Sequence, residues 1–497
     1  MTDTDAHVEI ELKFLVPAAT RAALAAELAG RGSPRRVWLT AAYLDTPDLR
    51  LARAGLAWRM RREGGRWVQA LKAARAGALE RFEHEVVRPD ASPDPAAHAD
   101  TAPGRELQAL LHAAREDEQE AGVRFQTQVR RLARRVRTRG AVVEVALDEG
   151  RLLAGQAVRR LREVEFELVS GSPVAMLALV ERWRQRFGLV YDPRNKAERG
   201  HRLAAGEPDA PLRKAAAPRY TRDASALEAF GAVFDECLAQ IGRSAIGLAD
   251  PAQGDPPLQA DHVHQLRVGI RRLRSALRAF RDWVAEPPAE LVDGLRQLFA
   301  ALGQLRDREV LGRGVAADLV RAGAPPLPLP AAADAPEPGA LIRAPETQRL
   351  LLAWISWRAG LAAPPEPQDS LKHLARRRLR RWQRDIAADC RRFDELDEAA
   401  VHALRKRVKR QRYALEFFAP LLPRKRATRH LQALAAAQQS LGEINDLAVA
   451  HERYRALVPS EPAAWFAVGW LTARLAEARE RARDELGHVA ALAPLSR

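Results

Sequence analysis

Residues 8–16, VEIELKFLV, place Glu9, Glu11 and Lys13 on one side of an extended chain and Ile10, Leu12 and Phe14 on the other, because alternate residues of a strand face opposite ways. The same period-two pattern recurs at 56–62 (LAWRMRR), 66–73 (RWVQALKA), 79–88 (LERFEHEVVR), 142–148 (VVEVALD) and 161–169 (LREVEFELV). Such runs predict antiparallel sheet, with helices between them at 18–30, 105–115 and 173–187. The polar face of this sheet is unusually ordered. Arg59 and Arg61 share one side of their strand, as do Arg81, Glu83 and Glu85, Glu144 and Asp148, and Glu163, Glu165 and Glu167. Several strands that each carry two or three charges on one face predict a barrel with a charged interior. Its cations would hold an anion and its carboxylates a hard divalent metal. A solvated face laced by cross-strand ion pairs is the plainer alternative.

The whole chain fits a polyanion partner. Its 497 residues predict two to four domains, and 80 Lys and Arg against 64 Asp and Glu leave a net charge of +16. A pI of about 10.6 attracts nucleic acid, anionic lipid or polyphosphate. Cys237 and Cys390 are too few for a disulfide framework or a four-thiolate metal site. No apolar run is long enough to span a membrane. The start, MTDTDAHVEIELKF, lacks the basic-then-apolar layout of a signal peptide. A cytoplasmic protein is expected, with association with polyphosphate granules a further expectation. Only eight of the 80 cations are lysine, so a surviving lysine hints at a position where a compact ammonium is wanted.

The N-terminal motifs together resemble the CYTH domain, the triphosphate tunnel metalloenzymes. Glu9-Ile-Glu11-Leu-Lys13 matches the ExExK signature, and the rest follow in family order: Tyr43-Leu-Asp45-Thr46-Pro47, Arg59-Met-Arg61, Lys72, Arg81-Phe-Glu83, Arg131, Glu144 to Asp148 with Gly150, Glu163-Val-Glu165, and Lys196 before Glu198-Arg199-Gly200. All three lysines of this stretch fall on motif positions. The resemblance implies an eight-stranded antiparallel tunnel around a linear triphosphate, over residues 1–205. It further implies that Lys13, Arg59, Arg61, Lys72, Arg81, Arg131 and Lys196 bind substrate, and that Glu9, Glu11, Glu163 and Glu165 hold Mg²⁺ or Mn²⁺. Lys13, Tyr43 and Glu163 are its candidates at the catalytic centre, a Tyr43–Lys13 pair handling protons. His7 and His84 read as structural. The activity implied is hydrolysis of inorganic triphosphate to pyrophosphate and phosphate. A cyclase or hydrolase acting on a nucleotide or thiamine triphosphate stays open, as does a non-catalytic polyphosphate binder.

Residues 206–221, with several prolines, read as a linker, after which long Ala/Leu/Arg amphipathic helices dominate. Pro-rich loops are expected at 324–338 and 363–368. An internal repeat is present: VHQLRVGIRRLRSALR at 263–278 aligns with VHALRKRVKRQRY at 401–413, and Leu302-Gly303-Gln-Leu-Arg306-Asp307 with Leu441-Gly442-Glu-Ile-Asn445-Asp446. His264, Arg267, Arg271, Arg274 and Arg278 follow one another by three and four residues, as do His402, Arg405, Lys409 and Arg412. Each set lies on one helix face without an interleaved acid, where a solvated helix would place Glu for i,i+4 pairs. Like charges stacked this way want an anion beside them. Residues 222–490 resemble the CHAD (conserved histidine α-helical) domain, which implies two related four-helix bundles (about 222–360 and 369–490) binding polyphosphate through those residues without catalysis. Asn445, where the first copy has Arg306, departs from the pattern. Zinc at His264, His373 and His402 lacks cysteines or a paired His spacing. No recognised nucleic-acid module is present, and the stripes lack aromatics for base stacking.

Overall fold

A computed structural model describes residues 8–30, 32–74, 77–250, 256–310, 314–330, 337–362 and 369–494, with backbone alone at 256–257 and 305–310. His7, the side chains of Arg306 and Asp307, residues 331–336 of the first Pro-rich loop and all of the second lie outside that description. Nine strands form one sheet: β1 (Val8–Leu15), β2 (Arg35–Asp45), β3 (Leu56–Glu63), β4 (Arg66–Ala74), β5 (Glu80–Arg88), β6 (Gly122–Thr138), β7 (Ala141–Ala154), β8 (Ala157–Gly171) and β9 (Val190–Tyr191). The order is β5-β4-β3-β2-β6-β7-β8-β1-β9, and a β5–β1 pairing closes the first eight into an antiparallel barrel. β1 makes that closure alone. Its first residues pair with β5 (Glu9 opposite Arg81) and its later ones with β8 (Lys13 opposite Glu165).

The strands expected at 142–148 and 161–169 are longer in the structure, and β2 and β6 were not expected. β6 (GVRFQTQVRRLARRVRT) breaks simple alternation because both its faces carry arginine. Arg131 lines the interior, while Arg130 is exposed on the outside.

The barrel is inverted relative to an ordinary one, with charge inside and the apolar packing mostly outside. Helices α1 (Arg21–Ala29), α2 (Arg50–Arg53), α3 (Ala102–Glu116) and α4 (Pro173–Phe187) cover its outer faces. Trp58, Met60 and Leu71 pack with Leu107 and Leu111 of α3 in one cluster. Phe14 meets Phe166 edge-on at 5.8 Å, and Phe166 meets Trp183 of α4 at 5.9 Å. Each such buried side chain contributes roughly 1.5–3 kcal/mol.

One end of the interior is apolar. Ala41, Tyr43, Phe125, Leu152 and Ala154 gather there with Leu203 of α5 (Lys196–Ala204). Asn195 caps α5 by accepting from Glu198 N at 2.7 Å, which fixes Lys196 as the first residue of the helix. Gly200 lets α5 lie flat on this plug, since a Cβ there would stand 2.0 Å from the Phe125 ring.

The remaining helices are α6 (Ala226–Ala249), α7 (Pro256–Ala279), α8 (Ala289–Val310), α9 (Ala316–Arg321), α10 (Pro338–Arg343), α11 (Pro345–Ala359), α12 (Leu371–Arg391), α13 (Glu398–Phe417), α14 (Arg424–Leu457) and α15 (Ala464–Ala490). Two compact units result. The first comprises residues 1–213, 238–262 and 338–361, and the second residues 214–237, 263–337 and 362–497. In the first, Gln348 of α11 accepts from Tyr191 N at 2.8 Å, and Asp250 pairs with Arg194 at 2.9 Å. The second has an aromatic core in which Phe280 meets Phe230 at 5.4 Å and Phe418 at 5.0 Å. Residues 324–330 carry no regular structure, and no helix among the described residues is long and apolar enough to cross a membrane.

Candidate active site and anion groove

A cavity of about 340 Å³ runs inside the barrel, lined by Glu9, Glu11, Lys13, Arg59, Arg61, Lys72, Arg81, Arg131, Glu165 and Lys196 among others. Of the tunnel residues assigned to substrate, metal or catalysis from the sequence, all but Glu163 line it, while Asp148, expected on the same inner face, is fully buried. Glu163 is fully buried. The same cavity is lined by Glu63, Glu83, Glu85, Glu144 and Glu167, so bases and acids are nearly balanced. Most of the cations are already paired. Lys72 sits 2.7 Å from Glu9 and 2.9 Å from Glu83, Arg81 2.7 Å from Glu11, and Arg59 3.1 Å from Glu83. Arg61 lies 2.8 Å from Glu85 and 2.5 Å from Glu63. Lys13 differs. It is 5% exposed and forms no ion pair within 4 Å among the described residues, although its charge helps hold Glu11 and Glu165 ionised. Tyr43 stacks on Phe125 at 4.4 Å and accepts from Arg59 at 3.4 Å. No hydrogen bond links it to Lys13 among the described residues.

Strand register creates the most acidic point. Asp148 stands opposite Glu163 across β7 and β8, with Glu165 two residues further on. Oxygens of the three lie within 4.8 Å of one another, an arrangement that like charges resist unless a cation joins them. Lys196 supplies it, its ammonium 2.8 Å from Asp148 and 2.7 Å from both Glu163 and Glu165. Arg131 adds a two-pronged contact to Asp148, 2.7 Å on each arm, and a 2.5 Å contact to Glu165.

The protonation states follow. Burial works to raise Glu165, but Lys196, Arg131 and Lys13 hold it well below the usual range. Asp148 is likewise held down by Arg131 and Lys196 against burial. Burial also opposes the charge on Lys196, and the three carboxylates push its pKa well up regardless. Glu9 behaves oppositely. Burial, with Glu11 and Glu83 nearby, outweighs Lys72 and pushes it up to about 8, so that its carboxyl is shared by hydrogen bond with Glu83. Glu11 stays below the usual range because Lys72, Lys13 and Arg81 overcome its burial.

Three converging carboxylates are a donor set suited to a hard divalent cation. The structure thus groups Glu163 and Glu165 with Asp148, and holds Glu9 and Glu11 in separate ion pairs along the wall. Asp148 was visible in the sequence as a charge on the inner face of its strand, but only register shows its meeting with Glu163. His84, read as structural, lies 3.0 Å from His98 through their Nδ1 atoms, away from these residues.

In the second unit the two stripes face each other. Lys409, 9% exposed, has its pKa pulled down to about 7 by burial, then by Arg271, Arg405 and Arg267. Arg405 is lowered by burial and by Arg271, against Asp446. Other stripe members are engaged. Arg267 donates to Phe299 O at 2.9 Å, and Arg267, Arg271 and Arg274 lie 4.3, 5.5 and 5.7 Å from the Phe299 ring. The second stripe runs on to an acid, since Glu416, four residues after Arg412, binds both Arg412 and Arg272. Burial, then Arg278 and Arg407, pulls the pKa of Arg410 on α13 down to about 10. His402 lies 3.2 Å from Asn445, and His264 belongs to the same α7 face.

The CYTH domain family matches residues 7–201 and the CHAD domain family residues 232–455. The chain is a CYTH–CHAD protein. An inorganic triphosphatase of Haemophilus influenzae is 26% identical over 174 residues, 34% of this chain and 47% of that protein. The chain therefore spans about half the length of that curated relative. The CHAD domain of the plant Ricinus communis is 30% identical, covering 57% of this chain and 99% of that one, with a TM-score of 0.46. A Hippeastrum protein described as an adenylyl cyclase with a dominant triphosphatase activity is 18% identical over 40% of this chain and 96% of its own, with a TM-score of 0.31. The CYTH match and the closed barrel coincide, and the CHAD match spans both cationic stripes.

Proposed function

We propose that the CYTH barrel hydrolyses inorganic triphosphate to pyrophosphate and phosphate with Mg²⁺ or Mn²⁺, and that the CHAD domain binds polyphosphate without cleaving it. The observation that carries the first part is the paired interior, in which a row of cations is held extended by carboxylates. An entering polyanion exchanges partners with it. Lys13, buried and unpaired, meets the phosphoryl oxygens first, and Arg59, Arg61, Lys72 and Arg81 turn from carboxylate to phosphate. The released Glu9 and Glu11, with Asp148, Glu163 and Glu165, are the oxygens that would hold metal. A bound divalent ion neutralises phosphate charge and lowers the pKa of the attacking water. Arg131 and Lys196 remain beside the cluster, where fixed cations stabilise charge that develops in phosphoryl transfer. The Haemophilus relative's triphosphatase name supports the substrate class. The facing stripes around Lys409 support an anion groove in the CHAD domain.

The test is phosphate release from tripolyphosphate, ATP and thiamine triphosphate, with and without Mg²⁺ or Mn²⁺. Metal-dependent release from tripolyphosphate ahead of the others is expected. Release that ignores metal, or that favours ATP, would overturn this assignment.

A further inference from the structure

The segment between the two family matches, 202–231, reads as linker over much of its length, yet Asp209 within it is 1% exposed. Three arginines converge on its carboxylate. Arg159 reaches Oδ1 at 2.7 Å, while Arg194 and Arg199 reach Oδ2 at 3.1 and 3.2 Å. Arg199, also buried, extends its other arm to Glu163, with Nη1 3.3 Å from Oε2. The opposite oxygen of Glu163, Oε1, is the one that meets Lys196 at 2.7 Å in the carboxylate cluster. Asp209, Arg199 and Glu163 therefore form a chain that ends at the cluster.

We infer that Asp209 is a positioning residue for the metal-binding face of the tunnel, acting through Arg199 on Glu163. This inference rests on the metal-dependent reading of the barrel and adds to it a residue outside the CYTH match. Two physical effects run through the chain. Asp209 fixes the guanidinium plane of Arg199, which pins Oε2 of Glu163 and turns Oε1 toward Asp148 and Glu165. Asp209 also shares the positive charge of Arg199. Without that counter-charge the guanidinium acts undivided on Glu163 and competes with a divalent cation for the same carboxylate. Outer partners of this kind orient ligands and tune metal affinity. Simple burial gives no reason for such a set, since well-packed apolar residues serve stability at least as well as a buried ion network.

Asp250 provides the control. It pairs with Arg194 at 2.9 Å, inside the same network, and the path from Asp209 through Arg199 to Glu163 does not run through it. Asp250→Asn removes a partly buried ion-pair partner and leaves the chain to Glu163 intact.

The experiment measures Mn²⁺ affinity of the full-length protein by the free-Mn²⁺ electron paramagnetic resonance signal, beside the thermal midpoint, without substrate. Asp209→Asn is expected to weaken Mn²⁺ binding by roughly ten- to a hundredfold, the range for outer-partner changes. Arg199→Lys keeps the charge but cannot bridge Asp209 and Glu163, and is expected to give the same loss. Asp250→Asn is expected to lower the thermal midpoint and leave Mn²⁺ affinity within about twofold of the parent, there being no outer partner to lose. If Asp209→Asn does not fold, Arg199→Lys against Asp250→Asn decides. Unchanged Mn²⁺ affinity in the Asp209 and Arg199 variants, or an equal loss in Asp250→Asn, overturns the inference. Mn²⁺ binding that survives Glu163→Gln overturns the metal reading of the cluster itself.

Discussion

Replacing Lys196 with alanine removes the cation at the meeting point of Asp148, Glu163 and Glu165. The three carboxylates lie within 4.8 Å of one another. At an effective dielectric near 20, two full charges at that separation repel by about 3.5 kcal/mol. Arg131 still faces Asp148 and Glu165, and Arg199 still faces Glu163. The change therefore amounts to unpairing one buried charge, about 3–5 kcal/mol. For a unit of this size, that corresponds to a thermal midpoint lower by about 10 °C. A divalent ion should then do in the variant what the ammonium does in the parent. At a concentration 1,000 times its dissociation constant it contributes about 4 kcal/mol, recovering most of the loss. In the parent the same ion has to share the carboxylates with the ammonium, so its stabilisation is smaller. The assay is scanning calorimetry of both proteins with and without Mn²⁺, in the absence of phosphate. Equal stability of variant and parent without metal, or equal shifts on adding it, would refute the idea that Lys196 stands in for a metal charge.

Glu11→Gln should lose most turnover at limiting Mg²⁺ while still binding tripolyphosphate, because it removes a proposed metal oxygen and leaves the phosphate cations in place; near-normal turnover would remove Glu11 from the metal set. Glu9 has a folded pKa of about 8, above its ordinary value, so its contribution to stability is complete below about pH 4.5 and is lost as pH rises through 8. Urea denaturation of Glu9→Gln across pH 5–9 should show a shallower decline than the parent, and an identical decline would place the titration elsewhere. In the CHAD domain, Lys409 with a pKa of about 7 should take up a proton when polyphosphate binds. Affinity should fall between pH 6 and 8 in the parent and change less in Lys409→Arg, measured by titration of the full chain without metal. Arg271→Glu should weaken that binding far more than Arg455→Glu, at an exposed position off the stripes, and equal losses would mean a diffuse basic surface.

The sequence was most legible where alternation was strict. β1, β3, β5 and β8 carry runs of charge at alternate residues, β4 adds Lys72, and parity alone places Glu9, Arg59, Lys72, Glu83 and Glu165 on the inner faces of their strands. β6 escaped because Arg130-Arg131 and Arg134-Arg135 put charge on both faces. α5 escaped because it is only nine residues long, mostly polar, and interrupted by Gly200, a poor helix former. Within the site, residue types were readable and their partners were not. That Asp148 meets Glu163 depends on how β7 is aligned with β8, which neither strand encodes by itself. Asp209 gave no signal, since an acid in a proline-containing segment looks solvated until three arginines fold around it. In the helical half, spacing found the stripes but not their ends. Glu416 continues the helix face beyond Arg412, and Phe299 on another helix draws in Arg267.

A barrel that keeps its charges inside has a consequence for the order in which the chain can assemble. Ordinary barrels collapse around an apolar centre, whereas here the inner wall offers mainly hydrated ions until their partners arrive. The early apolar gains lie on the outer faces, where α3 meets β3 and β4, and α4 meets β8. Closure falls to β1, which must pair with Arg81 on one side and with Glu165, some 150 residues away, on the other. Contacts so distant in sequence form slowly, because the entropy of closing the loop is lost before any pairing compensates it. Assembly should therefore end with the N-terminal strand sealing the ring, and the anion-binding wall is completed in the same event.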